Sequence, residues 1–255
     1  MLTISIFIFG LIFGSFLNVC IYRLPKKESI IKPSSCCPEC RKPIPWYDNI
    51  PVVSYILLKG RCRFCKKAIS PRYIIVELLT AVLLVSVFVA WGLSIKFIIY
   101  SILFCGLIVA TFVDFKHQII PDEITYGGMI LGLIFSLFYP PLQGESFWYS
   151  GLIYSALGLL VGGASIYFTG VIGKLIFKKE AMGGGDVKLM AMIGAFLGWK
   201  FVILIYFIAP FFGSVVGIIM KLKYKKDIIP YGPYLSLATV VAIFWGDDIL
   251  NYLFH

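Results

Sequence analysis

Long runs of apolar residues dominate this sequence, and few folds other than a bundle of membrane-spanning helices can accommodate them. Leu2 to Tyr22 carries no charged residue. About twenty residues, rising about 1.5 Å each, are enough to cross roughly 30 Å of hydrocarbon. Comparable runs follow at Ile74 to Trp91, Phe97 to Val113, Ile124 to Tyr139, Phe147 to Phe177, Val187 to Trp199, Phe201 to Met220 and Ile229 to Leu253. Only 14% of the residues are charged, against roughly 25% in a soluble domain. The expected fold is an all-α polytopic membrane protein of about eight transmembrane helices. Its one sizeable polar stretch, residues 23–73, forms a small loop domain. The chain then divides into a first helix (1–22), the loop (23–73) and a core of seven helices (74–255). No internal repeat stands out.

The basic residues orient this bundle. If successive loops alternate sides, 21 of the 23 Lys and Arg fall on one side, and only Lys96 and Lys200 fall on the other. That is the positive-inside pattern, so the basic side is expected to be cytoplasmic and the N-terminus extracytoplasmic. The net charge of +10 then implies contact with anionic lipid headgroups rather than nucleic acid. No basic residue precedes the first apolar run, so that run reads as a retained anchor rather than a signal peptide.

Within the loop, Cys37-x2-Cys40 and Cys62-x2-Cys65 are separated by 21 residues. Two such pairs suit one tetrahedral zinc ion. A loop this small needs such a staple because it cannot bury much apolar surface. A disulfide pairing is the rival, disfavoured on a cytosolic face. Cys36 leaves a second register open, since Cys36-x3-Cys40 is also an allowed spacing. Four Cys ligands leave no open coordination position, so the zinc would be structural.

Two of the helices have unusual features. Phe147 to Phe177 is long enough to tilt, or to break at Gly162-Gly163. Val187 to Trp199 is too short to span a bilayer, and is expected to be extended or enclosed by protein. Gly14, Ser15 and Asn18 on the first helix predict a helix–helix contact.

Gly183-Gly184-Gly185-Asp186 lies where the short helix begins. Glycines permit φ > 0 or a close backbone approach, and Asp186 could simply cap the helix. Asp114 ends another apolar run, and counting segments puts both acids at the same cytoplasmic boundary. Acids there are costly without a partner or a task. Two carboxylates held close share a proton, so that one is acid and the other base, as in aspartic proteases. Helix direction predicts Asp186, at a helix start, as the base, and Asp114, at a helix end, as the acid. Pro121-Asp122-Glu123 is ordinary helix-start chemistry. No Ser/His or Cys/His set suits nucleophilic attack, and His255 lies at the far terminus.

Several blocks carry a family resemblance: Gly14-Ser15-Phe16-Leu17-Asn18-Val19 with Tyr22-Arg23-Leu24-Pro25; Asn49-Ile50-Pro51, Gly60-Arg61-Cys62 and Arg72-Tyr73 through Glu77; Asp114 with Ile120-Pro121-Asp122; Gly183 to Leu189; and Pro230-Tyr231-Gly232-Pro233-Tyr234. The chain resembles the type IV prepilin peptidases, bifunctional leader peptidases and N-methyltransferases of the GxGD type from the bacterial inner membrane. The resemblance implies catalytic roles for Asp114 and Asp186, with Asp122, Gly183, Gly184, Gly185 and Lys188 as accessory residues. It also implies prepilin or pseudopilin substrates of pilus or type II secretion assembly, cut at the cytoplasmic face. S-adenosylmethionine is the implied methyl donor. Methylation is tied by resemblance to the zinc loop, with Gly60 and Glu77 as contributors, although no glycine-rich strand–turn–helix signature for the donor is visible. The alternatives are a proton-coupled transporter, which also uses intramembrane acids and broken helices, and a zinc-anchored scaffold without catalysis.

Overall fold

The computed structural model describes residues 1–178, 182–224 and 230–254. Ile229 and His255, named above, lie outside them, as do Lys179, Lys225 and Lys226 of the basic residues counted there. The described residues form helices α1 (Leu2–Arg23), α2 (Val53–Leu57), α3 (Arg72–Trp91), α4 (Ile95–His117), α5 (Asp122–Phe138), α6 (Trp148–Phe177), α7 (Gly184–Tyr224) and α8 (Gly232–Phe254), and no strand longer than an isolated bridge. Among the described residues, six helices are long and apolar enough to cross a membrane: α1, α3, α4, α6, α7 and α8. The count differs from the eight apolar runs for two reasons. At 17 residues α5 is short, and the sixth and seventh runs form one helix with a kink. The chain is a multi-pass membrane protein. It forms two compact units, Met1–Val109 and Ala110–His255, whose boundary falls inside α4.

In the first unit α1 and α3 are in backbone contact. A Cβ on Gly10 would lie 2.5 Å from the Ala81 Cα, and one on Gly14 would lie 2.6 Å from the Glu77 Cα. Small residues spaced by four let helix backbones meet in this way, and dispersion between them replaces the hydrophobic effect that lipid does not supply. Asn18 locks the crossing by donating to the Tyr73 carbonyl at 3.0 Å and to the Gly14 carbonyl at 3.3 Å. The predicted helix contact at Gly14 and Asn18 is therefore present. Arg23, buried at the end of α1, donates to the Ser29 and Pro33 carbonyls at 2.9 and 2.7 Å and gathers the start of the loop.

The second unit is built around the first half of α7. Residues 189–197 are all buried; α5 and α6 pack against them, and α8 packs against α7 as well, with Gly246 close to Phe201 and Leu204. A helix apolar on every face suits such a position. This accounts for the short sixth run: it is enclosed by protein, and it continues past Gly198 as the seventh. Gly198 has φ 77 and ψ 172, a conformation essentially restricted to glycine. The kink interrupts the hydrogen-bond ladder, and two side chains restore it. Gln143 donates to the Phe196 carbonyl at 3.0 Å, and Ser155 donates to the Ala195 carbonyl. By contrast, α6 runs unbroken for 30 residues through Gly162 and Gly163. The α6 glycines serve close packing: a Cβ on Gly162 would lie 2.5 Å from the Met190 carbonyl oxygen.

Candidate functional site

Asp186 occupies the first turn of α7. Its carboxylate accepts the Gly183 N–H at 3.2 Å, while its own N–H donates to the Gly183 carbonyl at 3.1 Å. This is one half of a capping box, in which an acid at the third helical position reaches back to the N-cap N–H. None of Gly183, Gly184 and Gly185 has a positive φ, so close approach is what the run provides. A Cβ on Gly185 would lie 3.2 Å from the Ile120 Cβ, whereas Gly184 faces open space.

Asp114 lies near the end of α4 and is 5% exposed. Its Oδ2 accepts the N–H of Gly232, the first residue of α8, at 3.0 Å. A Cβ on Gly232 would sit 2.9 Å from that oxygen and 3.2 Å from Ile120 Cδ1. Ile120 therefore packs against the starts of both α7 and α8. The two aspartates are close enough for their charges to interact. The argument from helix direction changes at this point. Asp114 does end its own helix, but it receives an N–H from the start of another. Each carboxylate thus takes a backbone donor at a helix N-terminus, where the dipole favours an anion. Helix ends alone no longer distinguish acid from base. Gly232 and Ile120 are the components that residue-by-residue reading assigned no role.

Asp122, in the first turn of α5, pairs with Lys188, just past the first turn of α7, at 2.7 Å. The Lys188 ammonium also lies 5.0 Å from the centre of the Tyr126 ring. The structure thus brings Asp122, Lys188, Asp186 and the glycine run to one end of one unit.

The loop of the first unit contains two knuckles with the same wiring. Cys37 N–H donates to the Lys42 carbonyl and Arg41 N–H to the Cys37 carbonyl; Cys62 N–H donates to the Lys67 carbonyl and Lys66 N–H to the Cys62 carbonyl. Arg41 and Lys66 both have positive φ, 56 and 60. A short repeat, Cys-x2-Cys-basic-Lys-x-Ile, is therefore present within the loop, too brief to register as a repeat along the chain. The thiol sulfurs of Cys37, Cys40, Cys62 and Cys65 lie within 4.8 Å of one another, with Cys37 and Cys65 at 3.9 Å. Four sulfurs about 2.3 Å from a tetrahedral zinc would be about 3.8 Å apart, so the cluster fits that ion. Cys36 is exposed and outside the cluster, which resolves the register. Backbone N–H groups of Cys65 and Phe64 bring the Cys62 thiol down to about 7, readying it for deprotonation on metal binding. Across the knuckles, Arg63 grips Asp48 through two hydrogen bonds of 2.6 Å, and Lys67 pairs with Glu39 at 2.7 Å.

Gly60 has φ 65, and a Cβ there would press on the Tyr55 ring at 3.0 Å, so turn geometry and packing account for it. Glu77 is buried on α3 and accepts the Val52 N–H at 2.8 Å, which fastens the loop to the helix.

Residues 8–91 match the family described as Bacterial Peptidase A24 N-terminal domain, and residues 101–218 match the Type IV leader peptidase family. Proteins named prepilin leader peptidase/N-methyltransferase are similar over nearly the whole chain. The one from Aeromonas salmonicida (strain A449) is 34% identical, covering 97% of this chain and 92% of its own. Those from Pseudomonas aeruginosa and Neisseria gonorrhoeae are 36% and 37% identical, over 94% and 95% of this chain and 89% and 90% of theirs. No solved structure matches significantly. With both family matches in chain order and such relatives end to end, this chain belongs to the type IV leader peptidase family.

Proposed function

We propose that the chain is a membrane aspartic endopeptidase that removes the basic leader from type IV prepilins or pseudopilins, and that it also N-methylates the new N-terminal residue. What supports the peptidase reading is that Asp114 and Asp186 lie within range of each other's charge, each seated on the N–H of a glycine at a helix start. One carboxylate takes a proton from a water molecule as its oxygen attacks the scissile carbonyl. The other donates its proton to the leaving amide nitrogen as the C–N bond breaks. The protons balance, and the pair is returned by exchanging one proton with solvent. The Asp122–Lys188 pair positions the first turns of α5 and α7 beside the acids. The positive-inside distribution of Lys and Arg supports a cytoplasmic face for the loops that carry the acids and an N-terminus on the other side. The inner membrane, and the assembly of pili or a type II secretion system, follow as its setting.

Cys37, Cys40, Cys62 and Cys65 would hold a structural zinc that joins the two knuckles. S-adenosylmethionine would supply the methyl group. By family resemblance Gly60, at a positive-φ turn, and Glu77, which fastens the loop to α3, are the residues offered toward its site. The transporter and scaffold readings find no counterpart among relatives named for peptidase and methyltransferase activity.

The test is cleavage of a prepilin by the purified full chain. Asp114→Asn and Asp186→Asn should each lower the rate by about 10²–10⁴ while zinc content and thermal stability are kept. Cleavage at the wild-type rate by either variant would remove the dyad.

A further inference from the structure

We infer that the cysteine loop binds the phosphate of an anionic phospholipid headgroup in a cationic cavity, with the short helix α2 beside it seated in the bilayer interface. The cavity, of about 340 Å³, is lined by Leu58, Lys59, Arg61, Cys62 and Lys66. Its three cations are exposed; no carboxylate lines it, and the one sulfur that does, Cys62, belongs to the metal cluster. Two other basic residues of the same knuckle, Arg63 and Lys67, are paired with Asp48 and Glu39. Lys59, Arg61 and Lys66 form no ion pair among the described residues. Unpaired cations converging on a pocket of this size suit an anion held by two or three charge-assisted hydrogen bonds.

Two further observations identify the bilayer as the source of that anion. The first is depth. Val52, just before α2, donates to Glu77 on α3, and α3 is a membrane-length apolar helix starting at Arg72. Five residues along a helix is about 7.5 Å, and the glutamate side chain leans back toward the helix start. The beginning of α2 is therefore held at the level of the first turns of a spanning helix, which is headgroup depth. The second is the face that α2 presents. Val53, Ile56 and Leu57 are 48%, 63% and 76% exposed, and their spacing puts them on one side of the helix. Trp46, in the neighbouring turn, is 80% exposed. An apolar helical face with an exposed Trp and flanking Lys and Arg is the composition of an interfacial element. The proposal does not depend on which reaction the chain catalyses.

The test uses the full chain in nanodiscs of phosphatidylethanolamine with phosphatidylglycerol. Each cation near an anionic surface contributes about fivefold in partitioning, so three contribute on the order of a hundredfold. By native mass spectrometry the wild type should retain phosphatidylglycerol. Lys59→Gln/Arg61→Gln/Lys66→Gln should lose it by at least about tenfold, a conservative estimate against that figure. Lys59→Arg/Lys66→Arg, and Lys26→Gln/Lys27→Gln/Lys32→Gln elsewhere in the loop, should keep it. Zinc content reports whether the loop is folded in each variant. In a chain with Trp91, Trp148, Trp199 and Trp245 changed to Phe, dibrominated lipid should quench Trp46 while acrylamide does not. Equal lipid retention by the triple Gln variant overturns the proposal. So does displacement of the lipid by millimolar inorganic phosphate, which would make the ligand a free anion. Shielding of Trp46 only after a prepilin is added would make the face a substrate dock and overturn it as well. Cleavage of prepilin should continue in the triple variant, which separates failure here from failure of the peptidase reading.

Discussion

Gly232 gives its N–H to Asp114 and leaves no room beside that carboxylate for a side chain. Gly232→Ala should therefore move Asp114 without removing it. Because a misplacement of about 1 Å can cost about a hundredfold in rate, cleavage should fall by on the order of ten- to a hundredfold. Thermal stability should stay close to wild type, since the added methyl sits at the end of α8. Rate measurements alongside a melting curve would check both; a large fall in stability with unchanged rate would contradict the role given to Gly232. The two acids could be read directly from the sequence, because carboxylates at the ends of apolar runs are costly and few. Gly232 could not, because the bond it makes spans 118 positions and a Gly-Pro pair at a helix start has an ordinary explanation. The same holds for Ile120, an apolar residue whose significance lies only in the two helix starts it touches.

The helices themselves were legible from hydropathy, but the way they are interrupted was not. Gly162-Gly163 and Gly198 look alike in sequence, as small residues inside apolar runs. The structure kinks at the second and passes straight through the first, because α6 uses its glycines to approach α7, whereas Gly198 alone has Gln143 and Ser155 to satisfy the carbonyls a kink exposes. Gly198→Ala forces a side chain into a region that costs about 1–3 kcal/mol, and should lower the unfolding free energy by that order. Gln143→Leu leaves the Phe196 carbonyl without its donor and should cost about 1–3 kcal/mol. Denaturation in detergent, followed by circular dichroism, would measure each. The double variant should cost less than the two singles together, because both changes act on the same kink.

At the scale of the molecule, the unit that ends at Val109 contains the cysteine cluster, and the unit that begins at Ala110 contains both aspartates. Metal removal should therefore act on one function before the other. Cys62→Ser/Cys65→Ser should lose the single equivalent of zinc expected of four tetrahedral ligands and unfold the loop, because zinc binding there is folding energy. Methylation should fail at zinc loss while cleavage persists. Metal analysis paired with separate assays of cleavage and methylation would decide; cleavage lost in step with zinc, in a chain whose helices stay folded, would contradict it. The cysteine spacing revealed the cluster, but not its internal symmetry, because each knuckle repeats only a handful of residues. The enclosed first half of α7 has a consequence for how the gene can vary. Residues 189–197 are buried, so most substitutions there either empty space or overfill it, whereas much of α6 is exposed on a helix of membrane-spanning length. In a library carrying every single substitution, selected for prepilin cleavage, the nine positions following Lys188 should be among the least permissive in the chain. The exposed positions of α6 should accept almost any apolar residue. Drift will then accumulate on the lipid-facing surface, while the helix that carries Asp186 is handed down nearly intact.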